Sequence, residues 1–468
     1  MENKTVIIVG AGVSGICAGI KLKKAGMNNF IIFEKNDNVG GTWYNNKYPN
    51  VECDVESHLY SFSFELWSEW DRVYSDGMTI LCYLEHCCTK YGIYEHIVLK
   101  SEVKEARWCE FSNSWNVDII SLPSKDEVTY FSQYLIVSYS SLNVPNIPYD
   151  VNKYQGKVLH TTTWDSSIEL KNKKIALIGN AASGIQCVID LVSHGKEVHI
   201  FQRTPNWVLP KFNRVYSSVE RWLLNFYLIK LIYRIFLYFF HEFILHTALV
   251  KNSWSNKLLT KEALKYLKTT VKDEETRKRL TPTYPLGCKR ILVSDNYYDI
   301  FNKPSVKLHT ERIKEIDAQG IVLENGTKIE TDVIVFASGF DLGASIMKIK
   351  IIGEGGKRLQ TDTPCIYGVY HDGFPNCFTL LGKNSGSGHT SMIIYVESQV
   401  DFIVKQIKSC DTFTIPSIKI QKYNAEIQQK MNSYVWLSCN SWYLTDGKNN
   451  TLYPGSSLDF RNEMSKKL

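Results

Sequence analysis

At 468 residues the chain exceeds one average domain, so two or three joined domains around a large core are expected. Its 54 basic and 48 acidic side chains leave a formal charge of +6, nearly balanced for this length. No lysine or arginine block stands out, which argues against nucleic acid as a partner. Twelve cysteines without a CxxC pair, with Cys87 and Cys88 adjacent, predict reduced thiols in a cytoplasmic setting and no metal site.

The chain enters a β-type run, Thr5-Val6-Ile7-Ile8-Val9, almost at once, which leaves no room for a cleavable signal peptide before it. That run ends in Gly10-Ala11-Gly12-Val13-Ser14-Gly15 and a helix-like stretch follows. Glycine permits the tight turn and lets backbone N–H groups approach a pyrophosphate at a helix N-terminus, where the dipole favours negative charge. Phe30-Ile31-Ile32-Phe33 then ends in Glu34, about 20 residues past the turn, where a carboxylate accepts ribose hydroxyls. Strand, turn, helix, strand and acid in register predict a dinucleotide site, read as FAD.

A second unit starts at Lys174-Ile175-Ala176-Leu177-Ile178 and turns through Gly179-Asn180-Ala181-Ala182-Ser183-Gly184. Ala181 stands where a second glycine is usual, so its methyl is expected to loosen the fit or shift the nucleotide. Val198-His199-Ile200-Phe201-Gln202 ends in Arg203 in place of an acid. Arginine there pairs with a 2′-phosphate and argues for NADPH, with Thr204 beside it; the alternative is a surface arginine on an ordinary α/β domain. Two nucleotide units in one chain suggest electron transfer from a nicotinamide to a flavin.

From Trp222 to Val250 the sequence is dense in large apolar residues, interrupted by Lys230, Arg234 and Glu242. The interruptions keep it below the roughly 18 uncharged apolar residues that crossing a bilayer demands. Lys230 and Arg234, four apart, share one helical face. An amphipathic helical hairpin packed on the protein is expected, with peripheral membrane contact through 222–250 as the alternative. Lys261 to Arg279 is charged and helix-prone, and Pro282 and Pro285 close the insertion.

Strand-like runs return at Leu135-Ile136-Val137, Gly320-Ile321-Val322-Leu323 and Val333-Ile334-Val335-Phe336. After the last, Ala337-Ser338-Gly339-Phe340-Asp341 is expected to re-enter the first domain and bring a backbone amide to the flavin. The fold class is α/β with two Rossmann-like dinucleotide-binding domains: residues 1–145 as a first FAD-binding part, 146–331 as the NADPH-binding domain with a helical insertion at about 212–282, and 332–468 as the second FAD-binding part and C-terminal loop.

Further motifs fall in order along nearly the whole chain. They are Gly40-Gly41-Thr42-Trp43, Tyr48-Pro49, Cys53-Asp54 and Tyr60-Ser61-Phe62-Ser63-Phe64; then Tyr154, Gly156, His160, Trp164 and Asp165; then Phe201-Gln202-Arg203-Thr204-Pro205, Gly287-Cys288-Lys289-Arg290, Asp295 with Tyr297-Tyr298, and Ser441-Trp442-Tyr443. Together they resemble class B flavoprotein monooxygenases of the Baeyer–Villiger branch, including its linker fingerprint FxGxxxHxxxW with tyrosine for phenylalanine. The flavin-containing monooxygenases that oxidise nitrogen and sulfur are similar in fold and are the nearest competitor.

The resemblance implies that NADPH reduces FAD, that O₂ adds to the reduced flavin, and that the peroxyflavin inserts one oxygen into a small-molecule ketone. It implies catalytic roles for Arg290, which stabilises the anionic peroxyflavin and the adduct, and for Asp54 as its ion-pair partner. Cofactor contacts carry over to Gly10, Gly12, Val13, Ser14, Gly15, Glu34, Lys35, Gly41, Thr42, Trp43, Asp54, Tyr60, Gly339 and Phe340. For the nicotinamide nucleotide they carry over to Gly179, Asn180, Ala182, Ser183, Gly184, Arg203, Thr204 and a loop residue, Trp442. His160 is implied as a hinge and His389 as a hydrogen-bonding loop residue near the flavin. Departures from the pattern are Ser138-Tyr139-Ser140 for Ala-Thr-Gly, Asn50 after Tyr48-Pro49, Lys47 for arginine, Ala181 and Ser338. They leave open a divergent flavoprotein with weak or no oxygenase activity, while the missing CxxC disfavours a disulfide reductase.

Overall fold

The computed structural model describes residues 4–138, 142–341 and 348–466. Tyr139 and Ser140 of the altered linker lie outside them. Two parallel sheets organise the chain. In the seven-stranded sheet, Val6–Val9 lies between Phe30–Phe33 and Tyr134–Val137, in register Val6 with Phe30 and Tyr134. Ile97–Val98 extends one side; Cys377–Thr379, Tyr370–His371 and Cys365–Ile366 extend the other, the last two antiparallel. The Val6–Val9 and Tyr134–Val137 strands are buried at every position, as a parallel sheet covered on both faces requires.

The second sheet has five parallel strands in the order Val306–His309, Glu197–Phe201, Lys174–Ile178, Val333–Phe336 and Lys157–His160. This corrects the expected boundary at 331/332. Val333–Phe336 pairs with Ile175–Ile178 on one side and Lys157–His160 on the other, so it belongs with the second glycine turn. Four consecutive buried apolar residues fit the centre of either parallel sheet, and their composition does not say which.

The chain crosses between the sheets twice, and the crossings pair with each other. Pro145 bridges Phe340, Asn146 N–H donates to the Gly339 carbonyl at 3.0 Å, and Asp341 N–H donates to the Val144 carbonyl at 2.9 Å.

The insertion contains helices Ser218–Leu223, Tyr227–Phe240, Trp254–Thr270 and Glu274–Leu280. A π-helical turn, His241–His246, continues the second. Residues 222–250 are therefore centred on one helix and its π extension, and not a hairpin; the next helix is Trp254–Thr270. Its orientation also departs from expectation. Lys230 and Arg234 do share a face, but they are 6% and 8% exposed, whereas Leu228 and Phe236 are 64% and 63% exposed. The inward face is anchored by polar partners: Lys230 Nζ donates to Ser68 Oγ and the Leu66 carbonyl, and Arg234 donates to the His58 and Leu59 carbonyls and Ser61 Oγ. No helix among the described residues is long and apolar enough to cross a membrane.

The cysteines correct a further expectation. Cys288 and Cys439 form a disulfide across a sequence separation of 151, with Cα atoms 6.2 Å apart, while the other ten are free thiols.

Candidate active site

The first glycine turn is forced by close approach. A Cβ on Gly15 would lie 1.9 Å from the Gly10 carbonyl oxygen, and Gly10 itself has φ +95°. Gly12 faces Gly41 back to back: a Cβ on Gly41, φ +55°, would meet the Gly12 Cα at 2.9 Å. The Val13–Lys24 helix, which carries Val13, Ser14 and Gly15 in its first turn, starts at Gly12 with no side-chain cap. Glu34 is buried, accepting from Ala11 N–H at 2.7 Å and Asn36 N–H at 2.9 Å, so it holds the turn while keeping lone pairs for a further donor.

Ser138 supplies a contact that sequence reasoning missed. Its hydroxyl lies 2.6 and 2.8 Å from the Val9 and Gly10 carbonyls, so the departure from alanine reinforces the turn. Lys35 Nζ bonds Asn143 Oδ1 at 3.0 Å, and burial with the nearby Lys348 charge lowers its pKa. Thr42 and Trp43 begin a short helix, Thr42–Asn45, and the Trp43 indole N–H donates to the Tyr60 hydroxyl at 3.2 Å.

The second turn repeats the geometry. A Cβ on Gly184 would lie 2.4 Å from the Gly179 carbonyl oxygen, and one on Gly179 2.3 Å from that of Ala337. The Ala182–His194 helix, with Ser183 and Gly184 in its first turn, also starts without a side-chain cap. Ala181 is exposed. Asn180 braces the turn, donating to Gln202 Oε1 and the Thr204 carbonyl, both at 3.0 Å. Arg203 is exposed at this end of the sheet. Lys289 is its unforeseen companion: burial lowers the Lys289 pKa and the charge of Arg203 lowers it further. Its sequence signal is the basic pair in Gly287-Cys288-Lys289-Arg290.

Asp54 and Arg290, 236 residues apart, meet in a bidentate pair: Nε to Oδ2 at 2.6 Å and Nη2 to Oδ1 at 2.8 Å. Burial pushes the Asp54 carboxyl up, yet the Arg290 charge and hydrogen bonds outweigh it and hold the group below the usual carboxylate value. The Asp54 charge in turn raises the Arg290 pKa against the opposing effect of burial. With 34% and 24% of their side-chain surfaces open, the two are not sealed in the core. Arg290 Nη1 also lies 3.5 Å from the Ser387 carbonyl. Behind the Ser387–His389 loop sits a buried polar chain that motif reading missed. His241 Nε2 is 2.7 Å from Glu56 Oε2, His241 Nδ1 is 2.7 Å from the His389 carbonyl, and His389 Nε2 is 3.3 Å from Glu242. Its only sequence signal was polar residues breaking an apolar helix.

The C-terminal loop reaches the same region. Tyr443 is buried, its pKa pushed up to about 12 by burial against the opposing Arg290 charge; Trp442 stays 54% exposed, its ring centroid 4.6 Å from that of Tyr443. Gly339 and Phe340 lie at the paired crossings. His160 is buried beneath them, its Nδ1 accepting from Thr162 N–H at 3.1 Å, and burial lowers its pKa. The linker glycine has a steric reason, since a Cβ on Gly156 would lie 2.4 Å from the Tyr154 hydroxyl.

A Baeyer-Villiger monooxygenase of Pseudomonas aeruginosa is 36% identical over 97% of this chain and 88% of its own length. One from Streptomyces coelicolor is 32% identical over 99% of this chain and 91% of its own. The structure of cyclohexanone monooxygenase from Rhodococcus sp. Phi1 bound to NADP+ matches with a TM-score of 0.86 at 25% identity, covering 99% of this chain and 97% of that one. A family model described as flavin-binding monooxygenase-like matches residues 3–443, and the chain belongs to that family.

Proposed function

We propose that this flavoprotein monooxygenase uses FAD and NADPH to insert one oxygen atom of O₂ into a ketone, with Arg290 and Asp54 at the reacting centre. The bidentate Arg290–Asp54 pair, partly open to solvent, carries the reading. The residues present fit both coenzymes. Each glycine turn leaves a cradle that a Cβ would fill, and each leads into a helix with no side-chain cap, where N–H groups and dipole favour a pyrophosphate. The flavin named by the family suits the first turn, and the NADP+ of the Rhodococcus relative suits the second. When bound and reduced, the flavin supplies the activation of O₂.

The protein groups then have separate tasks. Gly10, Gly12, Val13, Ser14, Gly15, Gly41 and Thr42 present backbone to the first pyrophosphate, and Glu34 offers its spare lone pairs to ribose. Lys35, Trp43 and Tyr60 flank that site. Gly179, Asn180, Ala182, Ser183 and Gly184 receive the second pyrophosphate, while Arg203, Thr204 and Lys289 receive a 2′-phosphate. Arg290 is a cation at every working pH, so it stabilises negative charge developing on a carbonyl oxygen without reorganising. Asp54 fixes its plane. Trp442 closes over the nicotinamide end, and Gly339 and Phe340 set the backbone beside the flavin. Oxidation of nitrogen or sulfur needs no such pair. Ten free thiols support a cytoplasmic location.

The test is oxidation of NADPH under air with a ketone, a thioether and a tertiary amine in turn. In Arg290→Ala, NADPH still bleaches the flavin, but ester or lactone formation falls by about 100-fold or more, the scale for losing one preorganised charge-stabilising donor. Lactone formation at the wild-type rate in that variant would overturn the assignment.

A further inference from the structure

The Tyr227–Phe240 helix and its π extension are built with their polar face inward and their apolar face outward. Leu228, Ile232, Ile235, Phe236, Phe239 and Phe243 form one exposed stripe, at spacings that keep them on a single helical face. Between Trp222 and Val250 the exposed residues are all apolar or aromatic except Asn225. The orientation is fixed from beneath: Lys230, Arg234, His241 and Glu242 are buried and each finds a protein partner. Rotating the helix to hide the stripe would strip these groups of their partners, so the apolar face is held outward.

The charged residues that flank the stripe in sequence are mostly basic. Arg221 and Lys251 are exposed at the two ends of the segment, and Lys257, Lys261, Lys265 and Lys268 are exposed on the Trp254–Thr270 helix that follows it. Within the same stretch Glu242 is buried, Glu220 is held by Arg214 at 2.5 Å, and Glu262 lies 3.9 Å from Lys265; two exposed acids from other elements, Glu69 near Lys230 and Asp459 near Tyr238, leave the cations in excess. Trp222 and Trp254 are both exposed beside the apolar stripe, a residue type that favours the headgroup level.

We propose that this segment docks the enzyme on an anionic lipid bilayer, lying flat with the stripe at the headgroup–acyl boundary and the cations among the headgroups. The Tyr227–Phe240 helix, about 21 Å long at 1.5 Å per residue, suits lying on a bilayer and not crossing it. A second copy of this chain is the poorer occupant, because a two-fold contact sets the same patch against itself and brings like flanking charges, Arg221 and Lys251, towards their copies. The proposal does not depend on the assignment of Arg290 and Asp54.

The full-length protein is spun with vesicles of phosphatidylcholine alone and of phosphatidylcholine with phosphatidylserine. Wild type sediments with the anionic vesicles, less with neutral ones, and less at high salt. A chain carrying Phe236→Glu and Phe239→Glu loses about tenfold or more of that binding, since two charges would enter the apolar layer, while its circular dichroism and NADPH oxidation match wild type. A second measurement needs no charge in the stripe: acyl chains labelled with bromine quench wild-type tryptophan fluorescence, and Trp222→Phe removes part of that quenching. Wild type left in the supernatant with anionic vesicles, absence of quenching, or a dimer in light scattering that the double variant dissolves would each overturn the proposal.

Discussion

At Gly15 a single hydrogen separates a working turn from a collision. A methyl there would sit 1.9 Å from the Gly10 carbonyl oxygen and 2.8 Å from Ser138 Oγ, and the first is rigid backbone. Gly15→Ala is therefore expected to purify colourless and to take up no added FAD by absorbance titration, because the turn must open and lose its pyrophosphate geometry. A yellow variant with wild-type affinity would contradict the steric account. The need for glycine at this position was legible in the sequence, since the spacing of Gly10, Gly12 and Gly15 after an apolar strand has a definite geometric meaning. Ser138 was read as a departure that weakens the motif. It proved to fasten Val9 and Gly10, which spacing does not reveal, because the hydroxyl arrives from just past a strand that ends 128 residues after Val9.

At the scale of elements, the Tyr227–Phe240 helix depends on its buried cation. Arg234 serves the His58 and Leu59 carbonyls and Ser61 Oγ, so Arg234→Leu leaves three buried acceptors short of a donor. The expected cost is about 1–3 kcal/mol for each unsatisfied group, read as a lower melting temperature by calorimetry. An unchanged transition would show that the seam is not what seats the helix. The sequence announced that this helix has two faces, but not which one looks inward. Hydrophobic patterning assigns the apolar face to the core by default, and here carbonyls on a loop some 175 residues away outweigh it. The Val333–Phe336 strand misled in a simpler way: its apolar run told of burial between two neighbours without naming them.

For the whole molecule, several buried imidazoles set the response to acid. Burial pushes His58 down to about 3 and His246, His309 and His371 to about 4, helped at His58 by Lys230 and Arg234 and at His246 by His389. The unfolded chain takes up these protons near the ordinary value of 6.5 while the folded one refuses them. Between the two values the unfolded state holds more protons, so stability rises with pH across this window and is lost as pH falls from about 6.5 towards 4. The depressed carboxyls of Asp54, Glu56 and Glu242 act lower down: their contribution is present above the unfolded carboxylate value of about 4 and disappears below it. Thermal melts from pH 7 to 4 should show the midpoint falling throughout; a flat midpoint down to pH 5 would refute the histidine argument. The two-sheet plan was accessible from the two glycine turns and the Asp54–Arg290 pairing from the family resemblance, whereas the Cys288–Cys439 bond was not, because only the finished fold draws those sulfurs together.

That bond acts as a leash. Trp442 follows Cys439 by three residues, and a chain reaches at most about 3.6 Å per residue, so the indole-bearing Cα stays within roughly 11 Å of its anchor. The anchor is tied to Cys288, two positions before Arg290. The bond therefore keeps the Trp442 loop on the same anchor as the guanidinium, and cutting the two sulfurs apart would lengthen the tether.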